Sequence, residues 1–147
     1  MNISGSYTLN ALPERVWPLI FDPNSLITLV PGCQQLEQIT PGEYRGHMRV
    51  GIAGVSGLYE TLVKIIEADA PNHCTFEGQL TGPTGTITGQ ASFSLQDVEQ
   101  DTLIEYQAQA LITGALGTIS PRILESIAKT FLNQGMAELN KKLTNGD

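Results

Sequence analysis

The side chains in this sequence that could carry reaction chemistry are few and scattered: His47, His73, Cys33, Cys74 and the tyrosines at 44, 59 and 106. A general acid or base must reach its substrate within hydrogen-bond distance, and a metal ion needs several convergent donors. Alternation turns both histidines to the outward face if Met48 and Cys74 point inward, and no His, Cys, Asp and Glu cluster has ligand spacing. Cys33 follows the Pro31-Gly32 turn and reads as a structural thiol, while Cys74 reads as a small core hydrophobe. These two cysteines fall on segments not expected to be neighbours, so two reduced thiols are expected rather than a disulfide. No catalytic residue, metal site or intrinsic cofactor is expected.

Two glycine-containing stretches, Gly51-Ile52-Ala53-Gly54 and Gly82-Pro83-Thr84-Gly85, look like phosphate loops in isolation. Each joins two strands instead of opening a helix, so both are predicted to be turns. The stretch from Gly54 onward is expected to form a flexible rim over an entrance.

The elements that must position these residues follow from periodicity. Asn2 to Leu9 is extended, and Val16, Trp17 and Ile20 then recur at helical spacing within Pro13 to Phe21, with Asn10 as a candidate cap. Asp22-Pro23-Asn24 interrupts that helix, a second short one covers Ser25 to Leu29, and Val30-Pro31-Gly32 turns the chain. Six strands are predicted between Cys33 and Thr113, divided at Pro41-Gly42, Ala53-Gly54, Ala70-Pro71-Asn72, Gly82-Pro83 and Gln100-Asp101. Short connections make neighbouring strands antiparallel. After Gly114, Ile119, Ile123, Ile127 and Phe131 step by four beside Leu124, Ala128, Leu132, Met136, Leu139 and Leu143, which predicts a helix of about 24 residues and about 36 Å. Ser120 is the candidate cap and Lys141 with Lys142 suits the C-terminal end of the dipole.

A lone helix with a wide apolar face must be covered, and the sheet is the available cover. The expectation is one α+β domain over residues 1–147: a helix-grip fold, with a seven-stranded curved antiparallel sheet around a long C-terminal helix and two short helices after the first strand. Hydrophobic residues make up 41% of the chain and charged ones 16%, which suits a globular protein and excludes a disordered one. The net charge of −7, with eight basic residues spread along the chain, argues against nucleic acid and against docking on anionic lipid. No secretory signal is visible, so the expected compartment is the cytoplasm.

Met48, Tyr59, Val63, Phe76, Leu80, Ile87, Phe93 and Tyr106 fall on inward strand positions with the small Ala91 and Ala108, and Leu124, Ile127 and Phe131 face them from the helix. Read as residues alone, this set either fills a core or lines an apolar cavity. Leu58 and Leu62 fall on the opposite, wet face, where such a pair would mark contact with a partner or a second copy in a homodimer.

Several motifs occur in one order: Ile3-Ser4-Gly5, Pro13-Glu14-Arg15-Val16-Trp17, Asp22-Pro23, Leu29-Val30-Pro31-Gly32-Cys33, Tyr44-Arg45-Gly46, Gly57-Leu58-Tyr59-Glu60 and Gly114-Ala115-Leu116-Gly117. In these the chain resembles the CoxG family of carbon monoxide dehydrogenase subunits, within the START-like, polyketide cyclase-like (SRPBCC) superfamily. The resemblance implies an accessory protein to a molybdenum hydroxylase-type carbon monoxide dehydrogenase that binds a quinone, lipid or similar apolar molecule. It thereby favours a ligand-binding role for the thirteen inward residues. Relatives often carry a membrane-attaching C-terminal extension, whereas this chain ends at Asp147, so the expectation is a cytoplasmic protein without its own anchor, peripheral at most to the inner face of the cell membrane. The competing readings are a cyclase or hydratase acting on a hydrophobic substrate in the same cavity, with Tyr59, Tyr106 or a histidine handling protons, and a filled-core interaction module.

Overall fold

The computed structural model describes residues 1–52 and 54–145. Strand β1 (Asn2–Leu9) leads into helices α1 (Pro13–Phe21) and α2 (Pro23–Leu29). Six strands follow: β2 (Cys33–Thr40), β3 (Glu43–Val50), β4 (Gly57–Asp69), β5 (His73–Gly82), β6 (Gly85–Val98) and β7 (Asp101–Thr113). A 3-10 turn (Gly114–Thr118) then delivers the chain to helix α3 (Pro121–Thr144). The strands form one antiparallel sheet in the order β1-β7-β6-β5-β4-β3-β2. The predicted fold class, element order and helix length are therefore those observed.

Local differences have identifiable causes. Helix α2 begins at Pro23 because Asp22 caps it, its carboxylate accepting from the Asn24 amide at 3.0 Å, and Pro23 suits a first turn that needs no donor. Asn10 does not cap α1; Leu12 holds that position without a side-chain bond. Asn10 instead pairs with Asn140 of α3, its amide donating to Oδ1 at 2.8 Å and its own Oδ1 accepting from Nδ2 at 2.9 Å. Ser120 sits at the N-cap of α3 with its backbone carbonyl, not its hydroxyl, accepting from Ile123 and Leu124. Ala53, part of the predicted Ala53-Gly54 turn, lies outside the described residues. The neighbouring segment is not a free rim: Val55 is buried and its carbonyl accepts from the Tyr59 hydroxyl at 2.8 Å.

Helix α3 crosses the concave face and is sealed to the sheet near both of its ends. At the C-terminal end Leu139 and Leu143 join Leu9, Val16, Cys74, Leu95 and Ile104. At the other end Leu124 joins Met48, Val50, Val55, Tyr59 and Leu116. Arg15 ties α1 to the end of α3, its guanidinium donating to the Leu143 carbonyl at 2.9 Å. Between the two clusters the inward side chains, including Val63, Phe76, Ala91, Tyr106, Ala108, Ala128 and Leu132, are only partly buried. The middle of the grip is under-filled.

Two leucines on α3 report that difference. Leu139→Ala, which removes a side chain that is 3% exposed, is expected to destabilise by about 2–5 kcal/mol. Leu132→Ala, on the half-buried stretch, is expected to lose less than about 1.5 kcal/mol, because its cavity already exists. Equal losses in denaturant titrations would show a uniformly filled core.

Candidate functional site

Two adjoining chambers occupy the under-filled region beneath α1 and α2. The smaller, about 250 Å³, lies against β2 to β5, with Met48, Val63, Ile65, Cys74, Leu36 and Thr61 on its sheet side. The larger, about 480 Å³, runs between α3 and the β1, β6 and β7 side of the sheet, past Ile3, Ala91, Ile104, Tyr106 and Ala108 on one wall. Its opposite wall is Ala128, Phe131, Leu132 and Met136. Ile20, Leu26, Val30, Phe76 and Phe93 line both chambers, so these five side chains form the partition between them. Strand alternation explains the walls: Ile65, Phe76, Ala91, Ala108 and Ile3 are cross-strand neighbours in one inward row, and Cys74, Phe93, Tyr106 and Gly5 form the next.

An aromatic group backs the partition. Trp17 and Phe21 stack at 4.7 Å between centroids, and Phe93 lies 6.0 Å from Trp17, 6.4 Å from Phe21 and 6.5 Å from Phe76. Tilted rings at these spacings add to simple area burial and hold α1 against β5 and β6.

The lining is almost wholly carbon. Among the described residues no Asp, Glu, Lys or Arg lines either chamber, and no group of three His, Cys, Asp or Glu residues could hold a metal ion. The Tyr44 phenol donates to the Phe21 carbonyl at 3.0 Å, fixing the end of α1 over the smaller chamber. Burial, reinforced by the nearby charge of Asp22, pushes that phenol above its ordinary value. Burial likewise raises the thiols of Cys33 and Cys74, which keeps both protonated and weakly nucleophilic. Both are free, and both line the smaller chamber.

Of the thirteen inward residues, Met48, Val63, Phe76 and Phe93 line the smaller chamber, and Phe76, Ala91, Phe93, Tyr106, Ala108 and Phe131 line the larger. Tyr59, Leu80, Ile87, Leu124 and Ile127 do not; they belong to the packed cluster at the N-terminal end of α3. Tyr59 is held there because its ring lies against Gly82, where a Cβ would come within 2.6 Å of it, and because its hydroxyl engages Val55 and Thr84. Sequence reasoning placed α1 and α2 as a cap but missed that Ile20, Phe21, Leu26 and Val30 are walls. Their signal was present in the apolar spacing of both helices. It also missed Thr61, an inward hydroxyl in an apolar row. Leu58 and Leu62 are exposed on the outer face, at 42% and 40%.

The same architecture recurs in solved proteins. A conserved protein from Geobacillus kaustophilus superposes with a TM-score of 0.94 at 25% identity, over 99% of this chain and 96% of that one. A START superfamily protein from Mycobacterium smegmatis gives 0.75 at 14% identity over 99% of both chains, and protein CV1439 from Chromobacterium violaceum gives 0.72 at 14% identity over 95% of both. The last two are alike in fold alone. No curated protein matches the sequence. The family model for the carbon monoxide dehydrogenase subunit CoxG matches residues 5–144, nearly the whole grip from the first strand to the end of α3. The chain is therefore a member of the CoxG family with a START-like fold.

Proposed function

We propose that this protein is a non-catalytic accessory module that holds one small apolar molecule, a quinone or comparable lipid, in the paired chambers. In this reading it serves a molybdenum hydroxylase-type carbon monoxide dehydrogenase. The observation that carries it is the carbon lining of two adjoining chambers between two sealed clusters. Apolar surface held open inside a small domain gains its stabilisation only when something covers it. The family supports the dehydrogenase as the enzyme served. Against a cyclase or hydratase, no Asp or Glu among the described residues lines either chamber and Tyr59 lies outside both, so of the proton carriers that reading needs only His47, on the wall of the smaller chamber, and Tyr106, on the wall of the larger, remain. Among the described residues no helix is long and apolar enough to cross a membrane.

Native mass spectrometry of the purified protein, with organic extraction of whatever is released, tests binding directly. One apolar molecule per chain is expected, or its uptake when the apo protein is incubated with quinones. Saturation at about a hundredfold above Kd stabilises by about 2.7 kcal/mol, equivalent to a rise of about 5–10 °C in Tm. A clean apo mass and an unmoved Tm after incubation with quinones and lipids would favour the filled-core interaction module instead. A second measurement locates the ligand. Ala91→Leu and Ala108→Leu extend into the larger chamber, and each is expected to weaken binding at least tenfold, about 1.4 kcal/mol, while leaving Tm within a few degrees. Unchanged affinity in both variants would place the ligand elsewhere.

A further inference from the structure

Helices α1, α2 and α3 all pack on the inner side of the sheet, so its outer face meets solvent. Most of that face is Ser, Thr, Gln and charged residues, as alternation requires. Leu58, Leu62 and Leu111 break the pattern, and Leu111, at 67% exposure, is the most exposed large hydrophobic side chain among the described residues. The strand register sets their spacing. Leu58 and Leu62 stand four residues apart on β4, about 13 Å along the strand. From Leu62 a cross-strand row runs through Gln79 and Thr88 to Leu111, three strand spacings or about 14 Å away. The three leucines thus form a right-angled corner with Leu62 at its apex and arms of nearly equal length.

We propose that this corner is a self-association surface, on which a second copy of the chain packs back to back about a two-fold axis that passes by Leu62 and bisects the corner. Such an axis turns one sheet by about 90° over the other, one of the two regular ways in which sheets pack face to face. It sets Leu62 against its own counterpart and Leu58 of each copy against Leu111 of the other, so the outer contact is made twice, as an isologous interface requires. Polar groups match as well: one arm carries Glu60, whose carboxylate accepts, and the other carries Gln79 and Thr88, which donate. Shape is also complementary. A groove of about 720 Å³ is lined by three consecutive residues of every strand from β3 to β7, so it runs across the strands and hollows the face along them. Across the strands the face is convex, because the sheet wraps around α3. A copy turned by a right angle therefore lays its convex direction into the hollow of the first. Glu43 and Glu77 balance Arg45 and Lys64 in the groove, whereas the chain as a whole carries −7, so two copies meet there without net repulsion. Seven strands about 4.8 Å apart make a face about 29 Å wide, and two such faces crossed at right angles cover up to about 800 Å² of each copy, the area of a standard stable interface. Both chambers lie on the far side of their sheets, so the pair holds two independent sites.

Sedimentation equilibrium of the full chain between about 1 and 500 μM is expected to show the mass rising from 15.8 kDa to twice that value, half complete at or below about 10 μM. Leu62→Glu brings two like charges together at the axis and Leu111→Glu puts a charge into a contact made twice, so each is expected to weaken association at least about tenfold. Both positions are exposed, and the far-UV circular dichroism of each variant is expected to match the wild type. Cross-linking reads the geometry. In a Cys33→Ser background, where the remaining Cys74 is fully buried, Leu62→Cys is expected to form a disulfide with its own copy under mild oxidation. Chains carrying Leu58→Cys mixed with chains carrying Leu111→Cys are expected to form the mixed disulfide. Leu58→Cys alone is expected to stay uncoupled, because its two copies stand about 18 Å apart, beyond disulfide reach. A mass that stays at 15.8 kDa throughout overturns the proposal and leaves the outer face to a different protein. A dimer that both glutamate substitutions leave intact overturns it as well, and Leu58→Cys pairing with itself as readily as with Leu111→Cys overturns the two-fold arrangement.

Discussion

Everything in this molecule depends on how one helix covers a sheet too broad for it. Helix α3 presents an apolar stripe along its 24 residues, and the seven-stranded sheet bends around it, but a single helix cannot fill the concavity of seven strands. The two therefore close on each other where large side chains are available, at Val50 and Tyr59 of the sheet with Val55 and Leu116 of the adjoining connections near one end, and at Leu9, Leu95 and Ile104 near the other. Where its inward row runs through Val63, Gly78, Gly89 and Ala110, and through Ala91 and Ala108 alongside, the side chains are too short to reach. A Cβ placed on Gly78 would meet nothing nearer than the Leu62 carbonyl at 4.0 Å. The hollow is thus a consequence of residue size at particular positions, not of loose packing in general.

The same glycines that shape the hollow also remove hydrogen-bonding options from its wall. Gly89 allows the β7 backbone to approach so closely that any side chain would strike the Gln109 carbonyl, and Gly46 does the same for β2. Curvature is obtained by backbone contact, and the cost is a bare sheet surface above which a polar neighbour has nothing to bond. Most inward polar groups are withdrawn from that surface by local partners. Tyr44 bonds to α1, Tyr59 to the β3–β4 connection, and the buried Thr102 donates to the Ala11 carbonyl at 2.7 Å. The Thr61 hydroxyl is left without a partner among the described residues, because its cross-strand flanks, Gly46 and Leu80, are non-polar.

The fold was legible in the sequence because its signals are local and repeated. Period two in Ile104, Tyr106, Ala108, Ala110 and Ile112 and steps of four from Ile119 to Phe131 leave little choice of element, and short turns force antiparallel order. The site was half legible. Alternation says correctly that Tyr59, Leu80 and Ile87 point inward, but direction does not distinguish a wall from a filled cluster, which depends on what α3 and the 3-10 turn bring opposite them. Leu116 and Ile119 fill that space. The caps were misjudged for a related reason: Asn10 has the right chemistry for α1, yet Asn140, some 130 positions away, competes for it through two hydrogen bonds. Tertiary partners of that separation leave no trace in a local pattern.

The position of α1 and α2 links the walls to the stability of the cap itself. Helices of nine and seven residues are too short to persist on their own, so this pair depends on docking. Its anchors are the stack of Trp17 and Phe21 on Phe93 and the seating of Leu29 on α3, where the Leu29 carbonyl comes so near Gly135 that a Cβ would stand 3.0 Å away. Ile20, Leu26 and Val30 are only partly covered when the chambers are empty, since one side of each faces the hollow. A molecule in the chambers would give those side chains the contacts they lack. Because linkage is reciprocal, whatever such a ligand adds to the docking of the cap, a firmly docked cap adds to the retention of the ligand.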